Sequence, residues 1–292
     1  MRLALVYLAL FFSILCMSTS SIMIKFSAAP ALIIALYRLF FTSILATGIR
    51  GRRLPESVFA ISRRNLMYII GSGVFLALHL AFWITSLNYT SVSSSVLFTN
   101  QQVIFVLLFS ILFLKEKPTN MAIVGIMVAV AGSVLIAQGD LKCGRLSGDM
   151  LSLASGLFVA IYYLIGRRAR FQVDTMTYTV ITTGVAALVL LVTCWFSGLS
   201  LTGYRNLDWL LFFLMALGPG LGGHGILNWV LKYVKAPLVS VSILGESVGA
   251  SILAWIIFGE NLLWYQIIGG LLILTGIYIA AANEGKEQHQ TA

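Results

Sequence analysis

Four side chains that can carry charge or exchange protons lie within long apolar stretches of this sequence: Arg38, His79, His224 and Glu246. An ionisable group in hydrocarbon is costly and usually faces a bundle interior or a wet cavity. Glu246, near the middle of its stretch, suits a proton carrier or an anchor for a cationic substrate. A structural carboxyl group that hydrogen-bonds a neighbouring helix is the alternative interpretation.

Other polar residues are spaced so that they share helix faces with these four. His79 and Trp83 are four residues apart, as are His224 and Asn228, which places each pair on one face of a helix. Imidazole beside indole suits a cavity wall that packs a planar or aliphatic ligand, although either histidine alone also fits a packing role. Weaker candidates for the cavity wall are Tyr162 and Tyr163 on one helix and Ser18, Thr19 and Ser21 on another.

Arg38 differs from the other three because its side chain keeps its charge in proteins. It could bind a substrate carboxylate, or it could make an ion pair or bond backbone carbonyls in a structural role. We favour the structural role from the sequence.

The elements that must position these residues follow from the composition. Of the 292 residues, 59% are hydrophobic and 10% are charged, with a mean hydropathy of +0.96, whereas soluble domains carry about 25% charged residues. So little polar surface excludes a water-soluble fold and indicates an integral membrane protein. The net charge of +9 comes from scattered basic residues, so a nucleic-acid partner is not expected. Three distant cysteines indicate neither a metal site nor a disulfide framework, and no cofactor is expected.

A helix that crosses the hydrocarbon core needs about 20 apolar residues, and the sequence has ten such runs. The first is read as an uncleaved span because no cleavage site follows it. The predicted spans are 3–24, 30–49, 66–87, 92–114, 119–138, 148–166, 174–196, 207–230, 237–258 and 262–282.

Basic residues orient these spans, because short cytoplasmic loops retain lysine and arginine. With both termini in the cytoplasm, fourteen of the nineteen basic residues lie on the cytoplasmic side and four lie opposite. We therefore predict a multi-pass protein of the cytoplasmic membrane with both termini inside. The four on the opposite side are Lys25, Lys142, Arg145 and Arg205.

An internal repeat appears when the sequence is shifted by 144 positions, which aligns Leu87–Asp140 with Leu231–Glu284 and Gln102 with Glu246. Glu116 and Glu260 then match at corresponding loops, and glycines seven apart match in the spans that follow. Five spans per half reverse the orientation of the second half. We predict an all-α membrane protein of ten transmembrane helices in two five-helix inverted repeats, 1–140 and 146–284, followed by a short cytoplasmic tail, 285–292.

Span eight contains the run Gly218-Pro219-Gly220-Leu221-Gly222-Gly223 just before His224. Such a run weakens a helix, and irregular backbone at membrane depth survives only against protein or a water-lined cavity. We expect a bent, cavity-lining element there. The glycines at 125, 132, 269 and 276 are expected to let spans five and ten approach their neighbours closely.

The motifs resemble those of the EamA domains in the drug/metabolite transporter superfamily. They are Ala35-Leu36-Tyr37-Arg38, His79…Phe82-Trp83…Ser86-Leu87 and Leu244-Gly245-Glu246-Ser247-Val248-Gly249-Ala250…Gly259-Glu260. The resemblance covers nearly the whole chain. Ser247 and Gln101-Gln102 stand where that family often has a proline. The resemblance implies a secondary transporter that exports a small organic metabolite, such as an amino acid or a related compound.

An inverted repeat of this kind alternates access around a central site. The residues predicted to bind substrate are His79, Trp83, Gln102, Tyr163, His224, Asn228 and Glu246. Glu246 is the candidate for proton coupling. A passive channel or facilitator is the alternative. An enzyme is not expected, because HExxH is absent and the two intramembrane histidines have no carboxylates at ligand spacing. A nucleotide-driven pump is not expected, because GxxxxGK[ST] is absent. Substrate, coupling ion, direction and oligomeric state stay open at this stage.

Overall fold

The structure is a computed structural model that describes residues 3–90, 92–109, 112, 118–140, 146–170, 172–234, 236–259 and 264–290. Within these ranges the regular elements are helices, and no β-strand occurs. The loop glutamates Glu116 and Glu260 and the basic residues Lys115, Lys117, Lys142, Arg145 and Lys235 lie outside the described residues, as does Cys143. Their predicted places therefore stay predictions.

Up to residue 140 the chain forms eight helices among the described residues, with a short 3₁₀ turn at Gly51–Arg53. They are α1 (Leu3–Ser18), α2 (Ser20–Phe26), α3 (Ala31–Arg50), α4 (Leu54–Phe59), α5 (Arg63–Ser86), α6 (Val92–Asn100), α7 (Gln102–Phe109) and α8 (Asn120–Asp140).

From residue 146 the described helices continue in the same manner, with a π-helical segment, Ala216–Gly225, between α11 and α12. They are α9 (Leu146–Arg170), α10 (Thr175–Phe196), α11 (Asn206–Met215), α12 (Ile226–Val230), α13 (Ala236–Ile243), α14 (Gly245–Phe258) and α15 (Trp264–Gln290). The last helix includes residues 285–290, which the sequence assigned to a tail.

Seven helical stretches of the described chain are long and apolar enough to cross a membrane. They are Leu3–Phe26, Ala31–Arg50, Arg63–Ser86, Ser147–Arg167, Thr175–Phe196, Asn206–Val230 and Val241–Phe258. Three predicted spans fall elsewhere: one on the α6–α7 pair, and two on α8 and α15, which are apolar over Asn120–Gly132 and Ile267–Ala280. The all-helical membrane class is thus confirmed, and the count of ten stays a prediction.

The main helix contacts join the N-terminal part of the chain to the C-terminal part. α3 packs on α10, α5 on α9, and α8 on α15, while α1 lies against the π-helical segment and α14. Large apolar side chains such as Leu8, Leu188 and Leu271 are exposed on the outside, as lipid-facing positions require. The polar residues named above lie inside, between helices from both parts of the chain.

Close backbone approach joins α8 to α15. A Cβ atom on Gly132 would lie 2.5 Å from the carbonyl oxygen of Gly269, and one on Gly125 would lie 2.6 Å from that of Gly276. Only glycine permits this spacing, because any Cβ would meet backbone that cannot move aside. The predicted structural role of these four glycines is confirmed.

Candidate functional site

A small cavity, with about 20 Å³ of space for water-sized spheres, lies between the helices at the centre of the molecule. Its wall combines side chains from both parts of the chain: α1 to α3, α5 to α7, α9, the π-helical segment and α14. The lining residues are Met17, Ser20, Arg38, His79, Trp83, Val96, Thr99, Asn100, Gln102, Val159, Tyr163, His224 and Glu246. Six of the seven predicted substrate-binding residues, and Arg38, therefore lie together.

Two helix breaks position residues at this cavity. The helical run of α6 and α7 is interrupted at Gln101, and that of α13 and α14 at Leu244. The same tight pattern occurs at both breaks, because the amides of Gln101 and Leu244 each donate to the carbonyl three residues earlier. Gln102 directly follows the first interruption, and Glu246 lies two residues after the second. Breaks at corresponding places are the usual way in which repeat-built transporters form a site at mid-membrane.

The π-helical segment supplies the next part of the wall. Pro219 lies inside it, and proline both lacks an amide hydrogen and clashes with the preceding turn. Glycines accommodate close neighbours here, since a Cβ on Gly220 would meet the Thr42 hydroxyl and one on Gly223 would lie 2.7 Å from Met17 Cγ. His224 at the end of this segment reaches the cavity. The predicted irregular element in span eight is confirmed.

His79 is held by Ser155 of α9. Its Nδ1 lies 2.8 Å from Ser155 Oγ, and that hydroxyl donates to the carbonyl oxygen of His79 at 3.0 Å. Because the single hydroxyl hydrogen is used in that bond, Nδ1 must be the donor to Ser155. The ring is therefore the Nδ1–H tautomer, and Nε2 is free to accept a hydrogen bond. His79 also stacks on Trp83, with ring centroids 6.3 Å apart and planes 3° from parallel.

Several polar atoms at the cavity wall have no partner within the protein. They are Trp83 Nε1, Gln102 Oε1, Tyr163 OH and His224 Nδ1. Their side chains are at most 9% exposed. Buried polar groups are nearly always hydrogen-bonded, and in a membrane no bulk solvent reaches them. A ligand or ordered water that fills the cavity would supply the missing partners.

Arg38 and Glu246 give the cavity one basic and one acidic group, both buried. Arg38 Nη1 donates to Ser20 Oγ at 2.8 Å. Among the described residues no direct ion pair joins Arg38 to Glu246, although each charge acts on the other across the cavity. A ligand with both a negative and a positive group could therefore contact both.

A second and smaller cavity, with about 10 Å³ of space for water-sized spheres, adjoins the first. Arg38 and His224 line both cavities, whereas Asn228 lines only the second, so the seventh predicted residue lies apart from the other six. Asn228 Nδ2 donates to Tyr162 OH at 2.5 Å. The other residues of this wall are Leu39, Thr42, Leu76, Leu80, Thr179, Thr182, Thr183, Gly220 and Gly225.

Polar clusters lie at the two ends of α3. At its C-terminal end, Arg50 pairs with Asp174 at 3.3 Å and also donates to Thr177 and Ser57. Before its N-terminus, buried Asp208 accepts from Ser27 Oγ at 2.9 Å and from Arg205 Nε at 2.9 Å. A helix of twenty residues is about 30 Å long, so these clusters are separated by about the thickness of a bilayer's hydrocarbon core.

Sequence reasoning missed Asn100, Ser20 and Ser155. Asn100 Nδ2 donates to Ser247 Oγ at 2.7 Å, a contact between the two broken helix pairs. Ser20 lies between the weaker candidates Thr19 and Ser21, and Ser155 belongs to no motif, so neither stood out in an apolar helix. No cluster of three or more metal-binding side chains occurs in the described part of the chain.

Comparisons with known proteins give a consistent result. The family model described as "EamA-like transporter family" matches residues 4–138 and 146–282. An "Uncharacterized transporter" of Archaeoglobus fulgidus is 25% identical over 274 residues, which cover 93% of this chain and 94% of that protein. An "Uncharacterized transporter YxxF" of Bacillus subtilis is 22% identical and covers 79% of this chain and 75% of its own.

A solved structure has the same fold. It has a TM-score of 0.76 and 20% sequence identity, covers 98% of this chain and 99% of its own, and is titled only "Crystal structure of protein". At this identity the likeness concerns the fold alone.

Proposed function

The chain belongs to the EamA-like transporter family, and we propose that it is a secondary transporter that exports a small organic metabolite across the cytoplasmic membrane by alternating access. An amino acid or a related compound is the proposed solute. The observation behind the proposal is the central cavity, in which buried polar atoms from both parts of the chain face one space without partners. Pockets that bind small solutes combine apolar walls with a few such convergent groups.

The chemistry of the wall favours a zwitterion. Arg38 is suited to a carboxylate because its guanidinium presents several donors in a plane. Glu246, His79 Nε2 and Gln102 Oε1 can accept hydrogen bonds from an ammonium group. Apolar side chains complete the wall and offer a place for the remainder of the solute; they include Met17, Val96 and Val159. This assignment gives Arg38 a binding role, where the sequence favoured a structural one.

We further propose the ten-span, inverted-repeat architecture with both termini in the cytoplasm. Contacts of α3 with α10 and of α8 with α15 place helices of corresponding order side by side. The matched breaks at Gln101 and Leu244 lie 143 residues apart, close to the sequence repeat of 144. Rocking of one part against the other around the cavity would then open it to each side in turn.

The test is transport by purified protein in liposomes, with and without a pH gradient, using a set of amino acids. We expect uphill accumulation that the gradient drives, and an at least about tenfold loss in Glu246→Gln, because a charge-assisted contact is removed. Glu56→Gln, on the exposed helix α4, is the matched control and should transport as wild type does. Equal, pH-insensitive flux in wild type and Glu246→Gln would contradict the coupling role.

The same assay separates a transporter from a passive facilitator. A facilitator only equilibrates its solute, so accumulation above the outside concentration excludes it. Counterflow of a preloaded amino acid separates an alternating-access carrier from an open channel, because exchange through an alternating site gives a transient overshoot of labelled solute and an open channel does not.

A further inference from the structure

The second cavity has features beyond those that the transport proposal uses, although Arg38 and His224 belong to both walls. Four buried polar atoms on its wall have no partner within the protein. They are Thr179 Oγ1, Thr182 Oγ1, His224 Nδ1 and Asn228 Oδ1. Four unpartnered atoms around one space are more than packing defects explain, because each costs free energy when it stays unsatisfied.

The threonines of this wall differ in whether their hydroxyl groups have a hydrogen-bond partner. Thr42 donates to the carbonyl of Arg38, and Thr183 to that of Thr179, each four residues earlier and each at 2.7 Å. This bond to the preceding turn is the ordinary way in which a helical threonine satisfies its hydroxyl. Thr179 and Thr182, on the same helix as Thr183, do not make it. Their hydroxyl groups therefore remain available to something in the cavity.

The charge of the cavity wall decides which kind of ligand these hydroxyl groups can bind. Arg38 lines the cavity and no aspartate or glutamate is among its lining residues. Glu246, which balances Arg38 at a distance, lines only the central cavity. A cation is therefore repelled here, whereas an anion compensates a buried guanidinium that has no direct ion pair among the described residues. Burial of an uncompensated charge is strongly unfavourable.

We propose that this second cavity binds a small monovalent anion, held by the guanidinium of Arg38 and the hydroxyl groups of Thr179 and Thr182. His224 contributes a donor when its Nδ1 carries the hydrogen. Asn228 Oδ1 is an acceptor and therefore does not bond the anion. The anion is chloride or the carboxylate group of an organic acid, since both have one negative charge and accept several hydrogen bonds.

The position of the anion site also affects the central cavity. Thr179 and Thr182 lie in the first turns of α10, whose N-terminal end carries the Arg50–Asp174 pair. The second cavity thus lies between the central cavity and that end of the molecule, with Arg38 and His224 at the boundary. An anion held there attracts Arg38 away from the central cavity, so its occupancy changes the charge that a solute meets.

The experiment measures thermal unfolding of the purified protein in detergent, without any transported solute. The sodium salts of chloride, acetate and isethionate are compared at equal ionic strength, with isethionate as the bulky reference anion. We expect chloride or acetate to raise the Tm by about 3 °C at ten times its Kd. The larger shift of the two identifies the anion as halide or carboxylate.

The test variant is Thr179→Val with Thr182→Val, which keeps the shape and removes both hydroxyl groups. It should lose the anion-dependent shift and unfold no earlier than wild type in isethionate, because unsatisfied groups are removed. The matched control is Thr183→Val with Thr193→Val, whose hydroxyl groups both bond carbonyls of their own helix. It should keep the shift, as should Thr179→Ser with Thr182→Ser.

Radiolabelled chloride in equilibrium dialysis gives an independent reading, with about one ion per protein expected if chloride is the ligand. Equal Tm values of wild type in all three salts would show that the cavity holds water only and would overturn the proposal. An undiminished shift in the valine pair would overturn it as well. Neither outcome bears on transport, which is measured separately in liposomes.

Discussion

The α8–α15 contact and the central cavity are two interfaces between the same two parts of the chain, built in opposite ways. Between α8 and α15, Gly125 and Gly132 bring backbones so close that a Cβ would lie 2.6 Å and 2.5 Å from the opposite carbonyl oxygens. At the cavity, four lining side chains leave polar atoms without a partner. One interface packs backbone against backbone, and the other leaves polar atoms without a partner within the protein.

This difference shows that the α8–α15 contact stabilises the fold more than the cavity wall does. Helix association in a membrane depends on close packing and on hydrogen bonds, because lipid is as apolar as the helix surface. The α8–α15 contact uses packing fully. The cavity wall has less close packing and fewer hydrogen bonds, and natural proteins accept such losses at functional sites. A rigid contact beside an unsatisfied centre also suits a protein in which one part must move.

Substitution at the glycine contact should have the largest effect on stability. Gly132→Ala places a Cβ 2.5 Å from the carbonyl oxygen of Gly269 and 2.7 Å from Leu272 Cβ, so the helices must separate. We expect a loss of about 2–4 kcal/mol, measured as a lower Tm in detergent. Gly71→Ala is the matched control, because nothing lies within 4 Å of its Cβ position and alanine favours the helix.

A Gly132→Ala protein as stable as Gly71→Ala would show that α8 and α15 are not in contact in the membrane protein. Both variants leave the cavity residues unchanged, so transport per folded molecule is the second measurement. It should change much less than the Tm does.

The sequence predicted the tight interface better than it predicted the breaks. Glycines seven residues apart in both halves predict a close helix contact, because only small residues allow backbones to touch. The interruptions at Gln101 and Leu244 had no such signal, since neither position has a proline. They arise from tertiary contacts, including the bond from Asn100 to Ser247, and local patterns do not reveal partners 147 residues apart.

The candidate site was predicted in part for a similar reason. Isolated polar residues such as Glu246 and His79 stand out in apolar helices, and helical spacing correctly joined His79 to Trp83. Threonines and serines do not stand out, because most of them bond their own helix. Only the structure distinguishes Thr179 from Thr183, and only the structure separates Asn228 from the central cavity.

Two buried tyrosines allow packed protein and the cavity wall to be compared through a single hydroxyl group each. Tyr178 OH is 2.5 Å from Ser72 Oγ, whereas Tyr163 OH faces the cavity without a partner. Tyr178→Phe should cost about 1–2 kcal/mol because Ser72 is left unsatisfied. Tyr163→Phe should leave the Tm unchanged or slightly higher and weaken solute binding. Equal destabilisation by the two variants would mean that the Tyr163 hydroxyl is part of the packing, against a role in the site.

The bond between the broken helices should have a smaller effect. Ser247→Ala removes the acceptor of Asn100 Nδ2, and hydrogen bonds between membrane helices contribute about 0.6 kcal/mol on average. We expect a correspondingly small fall in Tm and a larger change in transport, because the bond fixes Gln102 and Glu246 relative to each other. Ser251→Ala is the control, since that hydroxyl bonds its own helix. Identical transport in both variants would contradict this positioning role.

The smallest expected effect concerns pH at the end of α10, away from both interfaces. Partial burial alone would raise the pKa of Asp174, but hydrogen bonds from Thr177 and the charge of Arg50 outweigh it, so its pKa lies below the ordinary value. A lowered pKa in the folded state stabilises the protein above the ordinary pKa, and this contribution is lost as pH falls through the folded value. Asp174→Asn keeps an acceptor for the Thr177 amide and cannot ionise. The difference in Tm between wild type and this variant should be up to about 2 °C near neutral pH and should shrink below about pH 4. A difference that stays constant with pH would assign the effect to the helix cap alone.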